Sequence, residues 1–277
     1  MRRKKRIDIN YKEKDELILR NLKSALSLNH VNFKDFPDLL IIPQLYSDTK
    51  LYEDILTLIR NLEFKQFEVR EYTSGELNKS SYFDAVFYYP WEHDDYDPKE
   101  NRTLYDNRNR CPVCGRVEYQ LTELLLNATK MAKHHIVYNY PDILVTSFTK
   151  EIIEDQQLTG CSFRKVTDCS KHEKKDIYQL IINNYLDKMD MEKTATDKHQ
   201  YCEKCLRGAV LRSEIFYDID SLKNATDFNY SKEYFGFGVY CSPRVIVSSK
   251  VRNIFKEKGI RVQSYKPITI VNYCNEE

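Results

Sequence analysis

Two cysteine pairs constrain this 277-residue chain more than anything else in it: Cys111-Pro112-Val113-Cys114-Gly115 and Cys202-Glu203-Lys204-Cys205. Each is a Cys-x-x-Cys turn, and together they supply the four thiolates of one closed tetrahedral Zn²⁺ site. Gly115 suits a knuckle turn, because it can take the left-handed backbone that points amide N–H groups at the sulfurs. Cys114 and Cys202 are 88 residues apart, so a shared metal is a long-range clasp and not a local finger. The eight cysteines do not read as a secreted disulfide framework. The chain is long, and the basic start, Arg2-Arg3-Lys4-Lys5-Arg6, is not followed by the apolar stretch of a secretory signal. A reducing compartment, the cytoplasm, is expected, with a metal on Cys111, Cys114, Cys202 and Cys205.

Composition excludes little. A net charge of +1 gives no global pull toward nucleic acid or membrane, and no apolar run is long enough to span a bilayer. The 21 tyrosines suit either a protein interface or core packing.

The fold class expected is α+β, in two regions, 1–104 and 105–277. In the first, periodicity predicts a helix over 12–29, a strand over 38–43, a helix over 49–62 capped by Ser47 or Asp48, and strands over 64–72 and 82–89. The basic tip before them reads as solvated. In the second, apolar spacing predicts helices over 119–133 and about 174–190.

The second region also matches itself. Residues 137–166 align without gaps on 239–268, with identities at Val137, Tyr138, Pro141, Val145, Ser147, Ile152 and Ser162. Each copy reads as strand, helix, strand, with Ser147 or Ser249 as helix cap and Gly259 ending the second helix. Since a Cys-x-x-Cys precedes each copy, the reading is two tandem copies of a zinc-knuckle plus strand–helix–strand module, sharing one zinc.

With Cys111, Cys114 and Gly115, then Cys202 and Cys205, then the ending from Tyr240-Cys241-Ser242-Pro243 to Tyr265-Lys266-Pro267-Ile268, residues 105–270 resemble the double-CXXCG motif proteins. The second pair departs from that pattern, with Leu206 where the motif has glycine. Bacterial members of that family serve as immunity proteins, so the resemblance implies a non-enzymatic protein that neutralises a cognate toxin by binding it. The acidic run Glu92-His93-Asp94-Asp95-Tyr96-Asp97 is the candidate partner surface, through Glu92, Asp94, Asp95 and Asp97.

Two other classes compete. Arg108, Asn109, Arg110 and Arg116 around the first pair, and Lys204 and Arg207 around the second, with Tyr119 and Tyr201 nearby, allow a nucleic-acid-binding zinc ribbon. His134-His135 between the pairs allows an HNH-like nuclease, but the acid expected before the histidine is absent and the pairs lie too far apart. A zinc deaminase is excluded because the chain has no His-x-Glu. Cys161, Cys169, Cys241 and Cys274 read as ordinary buried thiols.

Overall fold

A computed structural model describes residues 3–90, 103–106, 108, 111–114, 119–139, 141–170, 175–198, 201–205, 207–212, 214–237 and 240–272. The protein is a mixed α/β chain that divides into two compact units, Met1–Glu76 and Leu77–Glu277.

In the first unit β1 (Arg3–Asn10) is followed by α1 (Glu16–Leu28), β2 (Lys34–Phe36), β3 (Leu39–Tyr46), α2 (Lys50–Ile59) and β4 (Glu63–Arg70). The strands form one antiparallel sheet in the order β2-β3-β1-β4. Ile7, Ile9, Leu40 and Ile42 of the sheet bury against Leu19, Leu22 and Leu26 of α1 and Ile55 and Ile59 of α2. The basic tip is therefore not solvated: it is the strand between β3 and β4. Alternation explains this, since Ile7 and Ile9 face the core while Arg6 and Asp8 pair with each other. Lys4 is buried because its ammonium is held by Glu71 and lies over the Tyr46 ring, 4.7 Å from its centroid. Pro43 sits inside β3 where the pairing with β1 slips, a place that needs no N–H donor. The cap of α2 is Thr49, one residue beyond the candidates, accepting from the Tyr52 N–H.

α3 (Ser74–Lys79) leads into the second unit. Its elements are β5 (Tyr82–Val86), β6 (Tyr105–Asp106), β7 (Tyr119–Gln120), β8 (Leu124–Leu126), β9 (Ile136–Asn139), β10 (Asp142–Thr146), α4 (Ser147–Asp155), β11 (Cys161–Asp168) and β12 (Ile177–Ile182). Then come β13 (Thr196–Asp197), β14 (Arg207–Leu211), β15 (Phe216–Asp218), β16 (Phe228–Phe237), β17 (Tyr240–Ser248), α5 (Ser249–Glu257), β18 (Ser264–Pro267) and β19 (Thr269–Val271).

Three expectations change here. The boundary falls at 76/77 and not at 104/105, because β5 pairs with β17 and β18, far along the chain. The helix expected over 119–133 is β7, β8 and a 3-10 turn at Ala128–Lys133. The helix expected over 174–190 begins as the strand β12, whose run Ile-Tyr-Gln-Leu-Ile-Ile is mostly buried and so shows no clean period.

The strand–helix–strand segments do form, and their registers match position for position. β10 lies beside β12 through Leu144↔Gln179, Val145↔Tyr178 and Thr146↔Ile177; β17 lies beside β5 through Ile246↔Asp84, Val247↔Phe83 and Ser248↔Tyr82. On the other side of each central strand, Arg164↔Gln179 of β11 and β12 corresponds to Lys266↔Asp84 of β18 and β5. The slot filled in one sheet by β12, joined to β11 as a hairpin, is filled in the other by β5 from the far N-terminal side. Earlier strands also match: β8 runs parallel to β11 with Leu125↔Thr167, and β15 runs parallel to β19 with Phe216↔Thr269.

Both helices are capped alike. Thr146 and Ser248 accept N–H bonds from Thr149 and Val251, one residue before the serines expected to cap. Gln157 and Gly259 take the left-handed backbone after the last turn, with φ 50° and 71°. One core serves both segments, with Ile143, Val145, Ile153, Leu158 and Leu180 matched by Val245, Val247, Phe255, Ile260 and Ala85.

Candidate metal centre

Each cysteine pair sits at the tip of a two-stranded hairpin. β6 and β7 pair through Tyr105↔Gln120 and Asp106↔Tyr119; β13 and β14 pair through Thr196↔Leu211 and Asp197↔Val210. Every member of the second set lies 91 residues after its counterpart, as do Cys202 and Cys205 after Cys111 and Cys114. The second turn is closed by the Cys202 N–H donating to the Arg207 carbonyl at 2.8 Å.

The four sulfurs converge. Cys111 Sγ is 3.8 Å from Cys202 Sγ, Cys114 Sγ is 3.5 Å from Cys205 Sγ, and all four lie within 4.8 Å of one another. A tetrahedron with metal–sulfur bonds of ~2.3 Å has edges of ~3.8 Å, so the set is the right size for a zinc-like ion. A disulfide needs an S–S distance of ~2.0 Å, and all of these cysteines are free. Cys111 and Cys202 are buried, Cys114 and Cys205 half-buried.

Knuckle amides favour thiolate at the first sulfur of each pair. Hydrogen bonds from the backbone of Cys114 and Val113 lower Cys111 to about 6, and those from Cys205 and Lys204 lower Cys202. Burial, with the sulfurs of Cys114 and Cys202 beside it, pushes Cys205 up to about 12. Four sulfurs this close cannot all be thiolates without a cation among them. A bound divalent ion removes that penalty and uses every ligand, leaving no open coordination position among these four donors. Among the described residues this is the one group of His, Cys, Asp or Glu that could hold a metal.

The other candidates fare differently. Glu92, Asp94, Asp95 and Asp97 lie outside the described residues, as do Asn109, Arg110, Gly115, Arg116, Leu206 and Cys274. Arg108 is held by Asp106 through bonds at 2.9 Å, and the Arg207 guanidinium lies 3.8 Å from the centroid of the Tyr234 ring. His134 stacks on Tyr88 with ring centroids 4.9 Å apart, and its Nδ1 is buried without a hydrogen bond; His135 packs on Phe148. Of the thiols expected to be buried, Cys241 is, Cys161 is half-buried and Cys169 is exposed; burial raises the Cys161 thiol to about 12, the opposite of an activated nucleophile.

Sequence reasoning missed a polar feature on the strand enclosed by each strand–helix–strand segment. Asp84, almost fully buried on β5, receives two bonds from Arg244 at 2.9 and 2.7 Å. At the matching place on β12, buried Gln179 donates to Asp142 at 2.9 Å and exchanges bonds with Gln120. The signal was present, since Asp142 and Arg244 are aligned in the repeat and each follows its proline.

No protein-family model matches this chain, and no curated protein is significantly similar to it. Among the described residues no helix is long and apolar enough to cross a membrane.

Proposed function

We propose that residues 105–277 are two copies of one knuckle module clasped by a single structural zinc, and that the protein is a non-enzymatic binder, an immunity protein that occludes a cognate bacterial toxin in the cytoplasm. The observation that carries the metal reading is the convergence of four sulfurs, two from each hairpin, at tetrahedral spacing. The matched registers of hairpins, strands and helices support the two-copy reading. A site that spends all four positions on protein ligands holds a scaffold together and activates no water, which favours binding over catalysis.

The toxin partner rests on the resemblance of the cysteine pairs and the closing segment to double-CXXCG proteins. A nuclease finds less support, because His134 and His135 are packed against aromatic rings. A phosphate-tracking role finds less as well, because Arg108 is already paired with Asp106 and Arg207 with the Tyr234 ring. The test is co-expression with the products of the neighbouring genes, among which a growth-arresting toxin is expected. A stable complex and restored growth are expected, and growth arrest unaffected by this protein would overturn the reading. Reversing Asp94, Asp95 and Asp97 to Lys then weakens the complex if the acidic run is the contact surface.

A further inference from the structure

We propose that the buried polar pair on the strand enclosed by each strand–helix–strand segment is an address that assigns β5 and β12 to their separate slots. The two slots are alike. Each lies between the strand before a helix and the strand after it, in one register, and the incoming strands Tyr82-Phe83-Asp84-Ala85-Val86 and Ile177-Tyr178-Gln179-Leu180-Ile181 share an apolar frame around one central polar residue, with Ala85 where the other has Leu180. Packing distinguishes them in part, through Leu180 against Ala85, and the buried polar residue adds a choice by charge at the neighbouring position.

Chain order makes the ambiguity real. β5 is made before β10 and β11, and β12 after them, so the slot between β10 and β11 is open to β5 first.

The polar residues separate the two. In its own slot Asp84 meets the Arg244 guanidinium; in the other, the matching position holds Asp142, and two carboxylates would share a poorly solvated site. Gln179 in its own slot meets Asp142 and Gln120; in the other it would leave Arg244 without a carboxylate and find Leu211 in the place of Gln120. The third strand offers a cation in both slots, Arg164 or Lys266, so it does not discriminate. The choice by charge thus falls to residues 142 and 244 on the strands and to 84 and 179 on the guests.

Pulsed amide hydrogen exchange with mass spectrometry, applied to the full chain refolded under reducing conditions with zinc, tests this. Asp84→Gln turns β5 into an imitation of β12, whereas Asp142→Asn removes the repelling carboxylate and leaves the Asp84–Arg244 pair intact. Both variants should show a several-fold larger refolded population in which β12 is unprotected while β5, β10 and β11 are protected. If Asp84 is only a structural partner of Arg244, Asp84→Gln will instead unprotect β5, β17 and β18, and Asp142→Asn will refold as wild type. Protection of β12 that is equal in all three proteins overturns the proposal, and Asp142→Asn decides the matter alone if Asp84→Gln fails to fold.

Discussion

Asp142 shows how one side chain carries a pH signature. Burial raises its carboxyl to about 6, with the Gln179 amide and the Arg164 charge opposing that shift. Because the folded value lies above the unfolded one, near 3.9, the native state binds the proton more tightly. The favourable contribution is complete below the unfolded value and is lost as pH rises through the folded one. Asp142→Asn keeps an amide partner for Gln179 and removes the titration. Its midpoint of thermal unfolding should equal wild type near pH 3 and exceed it at pH 7, where the stability gain is roughly 1–2 kcal/mol after allowance for partial exposure. A pH-independent difference between the two proteins would contradict this. Two glycines make a second contrast at the same scale. At Gly160, φ is 87° and a Cβ would lie 2.2 Å from the Phe228 carbonyl oxygen and 2.0 Å from Thr226 Oγ1; at Gly259, φ is 71° and nothing lies within 4 Å. Gly259→Ala should therefore cost about 1 kcal/mol of left-handed strain, and Gly160→Ala several-fold more, because backbone must also move. Denaturant titration of the two variants checks the ranking.

At the scale of elements, β5 governs where the chain can be cut. Phe83, Ala85 and Phe87 belong to the core that also holds Val247 and Phe255. A chain starting at residue 77 should fold and melt cooperatively, while one starting at 105, the boundary that the cysteine pairs and the repeat suggest, should lack a cooperative melt followed by circular dichroism. Equal melting of both fragments would contradict the account. Legibility in the sequence follows the same lines. Helices with one buried face, α1 and α2, were readable because their apolar residues keep a helical period. The pairs Cys111/Cys114 and Cys202/Cys205 were readable because a metal needs that short spacing, and α4 and α5 because the repeat aligned them. β12 was not, since a strand buried on both faces loses its alternation and imitates a helical stripe. Nor was β1, because its lysines and arginines mask a central strand whose inward positions are isoleucines. The pairing of β5 with β17 was out of reach too, since no local pattern reports a partner some 160 residues away.

On the whole-molecule scale, the four-sulfur cluster joins two hairpins whose inner cysteines, Cys114 and Cys202, lie 88 positions apart, and that closure is where zinc would contribute most to stability. Chelation should lower the melting temperature of the second unit's core and leave the first unit, which holds none of the four cysteines, unchanged. The most direct test is elemental analysis of the purified, reduced protein and of two double variants, Cys111→Ser/Cys114→Ser and Cys202→Ser/Cys205→Ser. The account predicts one zinc per wild-type chain and almost none in either variant, because each hairpin supplies only half of the site. Two zinc ions per chain, or a variant that keeps its metal after losing one hairpin's sulfurs, would contradict a single shared centre.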